Sequence, residues 1–153
     1  MAATNLRPVQ APRPHMAQRP ADLKDPTYQA FWLLRIAFVV APVLFGLDKY
    51  FHILVDWDRY LAPEFADLFN AQAHTLMYWV GAIEIVAGLV VALRPRFGGY
   101  LVAAWLAGII TNLLLIGDYY DIALRDFGLL LAALTLARLA TAFPAGLPER
   151  RRT

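Results

Sequence analysis

Hydrophobic residues are grouped into four long stretches that occupy most of the chain. These apolar segments lie near residues 29–50, 73–93, 98–117 and 122–142. Each reaches about 20 residues, the length that an α-helix needs to cross the hydrocarbon core of a bilayer. The pattern predicts an all-α fold, a polytopic bundle of four transmembrane helices. This membrane domain covers residues 29–142 and leaves no room for a second folded domain.

Basic residues mark one side of the predicted bundle. They precede the first segment, fill the turn at 94–97 and end the chain, whereas the other two connections are rich in Asp and Glu. The positive-inside rule predicts that both termini are cytoplasmic, which agrees with an even number of spans. Residues 1–28, rich in Pro and Arg, are predicted to form a disordered cytoplasmic tail, and residues 143–153 a basic cytoplasmic tail.

The connection between the first two segments has a helical pattern of its own. Aromatic and aliphatic residues recur at helical spacing opposite charged ones, and Pro63 suits the first turn of a short helix that runs to about Asn70. We expect a short interfacial helix between helices 1 and 2, either as an anchor in the outer interface or as a lid over the bundle.

Composition supports a bilayer environment and removes several kinds of chemistry. Hydrophobic residues make up 59% of the chain and charged residues 17%, whereas soluble domains carry about a quarter charged residues. The absence of cysteine excludes disulfides, thiolate metal sites and iron–sulfur ligation within this chain. No phosphate loop and no histidine–carboxylate cluster at ligand spacing is present along the sequence, so no metal is predicted. Basic residues are not interleaved with aromatic ones, which disfavours nucleic acid as a partner.

Polar residues inside the segments are the candidate functional residues, because they are costly in lipid. Counted from the cytoplasmic ends of their helices, Arg35 and Glu84 differ in depth by about 5 Å, so we expect a buried Arg35–Glu84 pair. The pair either only fixes helix register or forms, with Thr111 and Asn112, a polar pocket for a ligand or a proton-carrying carboxylate. Snorkelling of Arg35 is a third reading, and hydrogen bonding between helices is the alternative role of Thr111 and Asn112.

A second group of charges lies at the opposite, outer end of the predicted bundle. Lys49 ends helix 1, while Asp121, Arg125 and Asp126 open helix 4. Asp121 and Arg125 are four residues apart and can pair along the helix, and Asp126 faces elsewhere, in the direction of Lys49. The group predicts an outer polar cluster, with solvated helix ends as the alternative.

Two histidines, His52 and His74, are predicted at similar depth near the outer ends of helices 1 and 2. Two imidazoles in this arrangement can hold a b-type haem as axial ligands. The alternative, which is favoured, is that they are ordinary residues of the membrane interface.

These landmarks resemble the DoxX-like family of four-helix membrane proteins. Helix 1, FWLLRIAFVVAPVLFGLDKYF, has the LLR start and G-x-x-K end of that family, and helix 2, WVGAIEIVAGLVVAL, has its glutamate followed by glycine. The similarity covers about 29–142. The matching positions are Arg35, Gly46, Lys49, Glu84 and Gly88.

The resemblance implies a multi-pass protein of the bacterial plasma (inner) membrane that acts as the membrane subunit of a quinone-linked oxidoreductase complex. A quinone is the ligand it implies, and no cofactor follows from the residues themselves. The partners expected are the lipid bilayer and other redox subunits or further copies of the chain. A non-catalytic anchoring or assembly subunit is the alternative, ahead of haem binding and of small-solute transport.

Overall fold

The part of the chain that the computed structural model describes, residues 23–69 and 72–143, is helical throughout apart from short turns and one longer connection. Its five α-helices are α1 (Pro26–Phe51), α2 (Pro63–Phe69), α3 (Ala73–Leu93), α4 (Pro95–Ile116) and α5 (Tyr120–Leu139), with a 3₁₀ turn at Trp57–Tyr60. The predicted all-α fold is confirmed, and a short helix does follow Pro63. The predicted tails lie almost wholly outside the described residues.

Three helices, α1, α3 and α4, are long and apolar enough to cross a membrane. The remaining long helix, α5, has 20 residues but carries charges at Asp121, Arg125, Asp126 and Arg138. By length and composition the protein is therefore a membrane protein with three candidate spans, and the fourth span stays a prediction.

Local sequence explains where the helices begin and end. The side chain of Asp25 accepts a hydrogen bond from the backbone N–H of Thr27 at 2.9 Å, and Pro26 occupies the first turn of α1. Helix α4 ends at Gly117, which has a φ of 77°. Glycine adopts this left-handed conformation without strain. Only Arg94 separates α3 from α4, so these helices are joined by a tight turn.

The helices pack mainly as two pairs, α1 with α3 and α4 with α5. Glycines allow close approach within each pair. A Cβ built on Gly46 of α1 would lie 2.6 Å from the carbonyl oxygen of Gly81 in α3, and one built on Gly99 of α4 would lie 2.8 Å from that of Ala133 in α5. Contacts of α3 with α4 and of α1 with α5 join the two pairs into one bundle.

The aromatic part of the core lies where α1 begins and α5 ends. The ring centroid of Phe143 lies 5.4 Å from that of Tyr28 and 5.6 Å from that of Phe31. All three side chains are buried. The packed core therefore includes Tyr28 and Phe143, which lie just outside residues 29–142.

Candidate functional site

Charged side chains are buried at the end of the bundle where α1 finishes and α3 begins, here called the connection end. Among the described residues, Asp48, Lys49, Glu84 and Asp126 have only 3–7% of their surface exposed. They come from α1, α3 and α5. Burial of a charge costs free energy unless a partner compensates it, so the partners of these four side chains define the site.

The central interaction is an ion pair between Lys49 and Glu84. The Lys49 Nζ lies 2.6 Å from the Glu84 Oε2, and the two side chains are 4% and 9% exposed. The ring of Trp57 covers the ammonium, with its centroid 3.8 Å from Nζ. A short charge-assisted hydrogen bond and a cation–π contact therefore hold the same cation.

The glycine contact between α1 and α3 positions this pair. Lys49 follows Gly46 by three residues and Glu84 follows Gly81 by three residues, and these two glycines are in direct backbone contact. Because the helices run in opposite directions, the two charged residues are offset by about 9 Å along the axes. Extended Lys and Glu side chains bridge that offset.

The expected Arg35–Glu84 pair is wrong. Arg35 Nη2 donates to the carbonyl oxygen of Ala92, and its guanidinium lies 4.7 Å from the ring centroid of Trp32. Ala92 lies eight residues after Glu84, or about 12 Å along α3. The prediction assumed that the start of α1 and the end of α3 lie at the same depth. The contact between Gly46 and Gly81 sets a different register, in which α1 begins beyond the end of α3.

The other two members of the expected pocket have separate roles. Thr111 is exposed and donates to the carbonyl oxygen of Ala107 in its own helix at 2.9 Å. Asn112 accepts from the backbone N–H of Ala62 at 2.8 Å and donates to the carbonyl oxygen of Tyr60. Asn112 therefore fastens the connection onto α4, and neither residue adds to a pocket around Glu84.

The outer cluster forms only in part. Lys49 pairs with Glu84, and Asp126 is buried on α5. Arg125 Nε lies 3.3 Å from the Oδ1 of Asp126, whereas Asp121 is exposed. The expected pairing of Asp121 with Arg125 is replaced by this contact between adjacent residues.

Asp48 organises the chain that covers the ion pair. Its carboxylate accepts hydrogen bonds from the backbone N–H groups of Ile53 and Leu54, each at 3.0 Å, and from the indole Nε1 of Trp57 at 2.7 Å. These bonds place the Trp57 ring over Lys49. Sequence reasoning missed this function, and the only signal was an aspartate at a helix end shortly before an aromatic residue.

A second tryptophan, Trp105 of α4, was also missed. Its indole nitrogen is buried and makes no hydrogen bond of good geometry with any described residue, although the side chain lies beside Glu84. Buried donors are nearly always paired. The Glu84 carboxylate is an acceptor beside this N–H, so Trp105 belongs to the buried cluster around Glu84.

His52 and His74 do come together, as their similar depths predicted. Their rings stack with centroids 5.2 Å apart and planes inclined by 18°. A haem would need the two imidazoles to point at its iron from opposite faces of the porphyrin. Stacked rings at this separation leave no space for the macrocycle, so this geometry does not fit a bis-histidine haem.

Comparisons with protein-family models, with curated proteins and with solved structures found no match for this chain. The class that the fold defines is an all-helical membrane protein with three candidate spans. The DoxX-like resemblance stays a prediction. Four of its five positions, namely Gly46, Lys49, Glu84 and Gly88, lie at the contact between α1 and α3.

Proposed function

We propose that the protein is a four-span subunit of a quinone-linked oxidoreductase complex that binds the quinone headgroup at Lys49, Glu84 and Asp126. Ionisable residues inside membrane helices mark ligand sites or proton paths by default. Here the charged side chains of Lys49, Glu84 and Asp126 are buried in a bundle that has three candidate membrane spans. The resemblance to the DoxX-like family, which implies a membrane subunit of this kind, supports the same reading.

The buried indole N–H of Trp105, which lies beside Glu84 without a hydrogen bond of good geometry, carries the proposal. A quinone headgroup presents carbonyl oxygens, which accept hydrogen bonds, on a flat ring. Trp105 and Lys49 both supply donors beside Glu84, and Trp57 supplies an aromatic ring. Reduction of a quinone takes up electrons and protons in equal number. Redox partner subunits supply the electrons in this proposal, and the carboxylate of Glu84 carries the protons.

We infer further that α5 is the fourth span, with both termini cytoplasmic in a bacterial inner membrane. Asp121 and Arg138 lie near the two ends of α5, where charges reach water. The charges within it, Arg125 and Asp126, contact each other at 3.3 Å. Pairing lowers the cost of placing α5 in lipid, and its packing against α4 supplies a protein surface for Asp126.

Single cysteines test this topology, because the chain has none of its own. Cysteines at positions 4, 96 and 153 are expected to react with an impermeant maleimide from one side of the membrane, and a cysteine at position 56 from the other. If position 153 reacts from the same side as position 56, the chain crosses the membrane three times and α5 is not a span.

The Trp105→Phe variant tests the headgroup site directly. It removes one buried donor beside Glu84 and keeps an aromatic ring in place, so protein stability should fall by no more than about 1–3 kcal/mol. Binding of a short-chain benzoquinone to the protein in lipid nanodiscs, measured by equilibrium dialysis, should weaken about five- to tenfold, the value of one hydrogen bond. Arg96→Gln, at an exposed position far along the chain from the cluster, is the control and should bind like the wild type.

The double variant Lys49→Met with Glu84→Leu completes the test. It removes both charges while keeping apolar volume, so it is expected to fold. Loss of benzoquinone binding in this variant would support the site. Unchanged binding, or no binding by the wild type, would refute it and leave the ion pair as a structural element.

A non-catalytic anchoring or assembly subunit is the second candidate, and one observation favours it. Lys49 and Glu84 neutralise each other's charge at 2.6 Å between closely packed helices. A pair that only stabilises the packing of α1 against α3 needs no more than this. Removal of residues 1–22 leaves the Asp25 cap of α1 intact and should abolish co-purification of partner proteins. Retention of those partners by the shortened chain would contradict an anchoring role for the tail.

A further inference from the structure

Three potential metal ligands meet where the long connection leaves α1 and enters α3. His52 ends α1, Asp58 lies in the 3₁₀ turn, and His74 is in the first turn of α3. Each offers one donor atom, and these atoms all lie within 4.8 Å of one another. The residues are 6 and 16 positions apart in sequence, which is why the spacing of ligand residues along the chain gave no indication of this cluster.

Hydrogen bonding leaves donor atoms of this cluster unused. The Nε2 of His52 and the Oδ1 of Asp58 are buried without a hydrogen-bond partner among the described residues. Asp58 engages only its other oxygen, Oδ2, which lies 3.0 Å from the Nδ1 of His74. Buried polar atoms without partners are rare in proteins and call for a missing partner. A metal ion accepts electron pairs from both atom types at once.

We propose that His52, Asp58 and His74 bind a divalent transition-metal ion of the Zn²⁺ type. Imidazole nitrogen and carboxylate oxygen are the ligands that Zn²⁺ takes at about 2.0–2.2 Å, and two such ligands of a tetrahedral ion lie about 3.3 Å apart. The 3.0 Å between His74 and Asp58 already has this length. Three protein ligands leave the fourth position of the ion to water, as in open zinc sites.

Closing the site requires side-chain rotation only. The Nδ1 of His74 already faces Asp58, and its Nε2 contacts the Tyr78 hydroxyl. The imidazole that must turn toward the ion is therefore that of His52, which stacks on His74. In the bound state the ion takes the place of the proton shared between His74 Nδ1 and Asp58 Oδ2.

The surroundings match those of metal-binding histidines. Such a histidine usually hydrogen-bonds through its second ring nitrogen to an oxygen that fixes its orientation. The Nε2 of His74 lies 2.8 Å from the hydroxyl of Tyr78. Tyr78 in turn stacks on Tyr50 at 5.2 Å with planes 2° apart, and the Tyr50 hydroxyl donates to the Tyr78 carbonyl oxygen at 2.7 Å. This contact fixes the end of α1 against the start of α3, so the backbone under both histidines is already positioned.

A bound ion would clamp the connection across the end of the bundle. Asp58 directly follows Trp57, the residue that covers Lys49. Metal binding would therefore hold this cover in place, whatever the ligand of the buried charges is. The metal site does not depend on the quinone proposal and stands or falls by its own test.

Zinc binding to the full chain, purified without a histidine tag, tests the site. Titration of detergent-solubilised protein with Zn²⁺ against a chromophoric chelator should show one site per chain. His74→Gln and Asp58→Asn should each weaken it at least tenfold, whereas His15→Ala, which changes the chain's third histidine, should not. Co²⁺ added in place of Zn²⁺ should give the visible absorption of a tetrahedral site, and Mg²⁺ should not compete.

The outcomes separate a metal site from a hydrogen-bond network. Circular dichroism of both site variants should match the wild type, because the residues changed are at least partly exposed. If the wild type binds no Zn²⁺, or if His15→Ala lowers affinity as much as His74→Gln does, the proposal is overturned. Should one variant misfold, the Co²⁺ spectrum of the wild type and of the other variant decides.

Discussion

Breaking the Lys49–Glu84 pair should destabilise the protein much more than removing the pair altogether. Both side chains are almost fully buried and lie 2.6 Å apart, so the small stabilisation that exposed ion pairs give does not apply to this pair. Removal of one partner from a buried pair costs about 3–5 kcal/mol, because a charge is left without compensation. We expect Glu84→Leu near the lower end of this range, since Trp57 still covers the ammonium. Lys49→Met should lie near the upper end, since it leaves the buried carboxylate of Glu84 without its cation.

The double variant Lys49→Met with Glu84→Leu should recover most of this loss. Replacement of a buried pair by apolar residues of similar volume is often neutral or stabilising, so we expect it within about 1 kcal/mol of the wild type. Reversible unfolding in mixed detergent, followed by circular dichroism, measures the free energies of unfolding of all four proteins. Arg96→Gln, an exposed change, is the control and should stay within about 0.5 kcal/mol.

One pattern of results would refute this reasoning. If each single variant loses less than about 1 kcal/mol, the pair behaves as an exposed one and is not buried as described. If the double variant loses the sum of the two single losses, the charges contribute independently and no pair exists. Either result would also remove the basis for treating this cluster as the functional site.

Two further predictions concern the glycine contact between α1 and α3 and the Trp57 ring over Lys49. Gly46→Ala places a Cβ 2.6 Å from the Gly81 carbonyl oxygen and should cost about 1–3 kcal/mol of unfolding free energy by overpacking. Its control, Gly108→Ala, meets nothing within 4 Å and should be neutral or stabilising by up to about 1 kcal/mol; equal effects in the unfolding assay would contradict the close helix approach. Asp48→Ala should release Trp57 and speed hydrogen exchange across residues 53–60, and unchanged exchange by mass spectrometry would show that Asp48 does not hold the connection.

Helix positions were readable from the sequence, because a long apolar run has few alternatives to a helix in lipid. The segment expected at 73–93 is α3 to the residue, and Pro63 does begin a short helix. The segment at 122–142 was predicted as a span like the other three, but α5 carries charges whose burial depends on the rest of the bundle. Its Asp126 is buried only because α5 packs against the rest of the bundle.

The site was harder to predict, because it depends on helix register. Arg35 and Glu84 had similar distances from their helix ends, but the contact between Gly46 and Gly81 decides which residues of α1 and α3 are level. Lys49 was placed in a different cluster, since its Cα lies near the end of α1 and only its long side chain reaches Glu84. Asp58 could not be linked to His52 and His74 without knowing how the connection folds back.

The ion pair between α1 and α3 also constrains how the chain is made. Lys49 and Glu84 are 35 residues apart, so at about 5–20 residues per second the ribosome needs about 2–7 s to supply the partner. During that interval Lys49, in the last turn of α1, has no carboxylate of α3 beside it, and a long side chain at a helix end can keep its ammonium in the water interface. The ion pair can therefore close only after α3 has emerged, and its formation draws the lysine from the interface into the bundle.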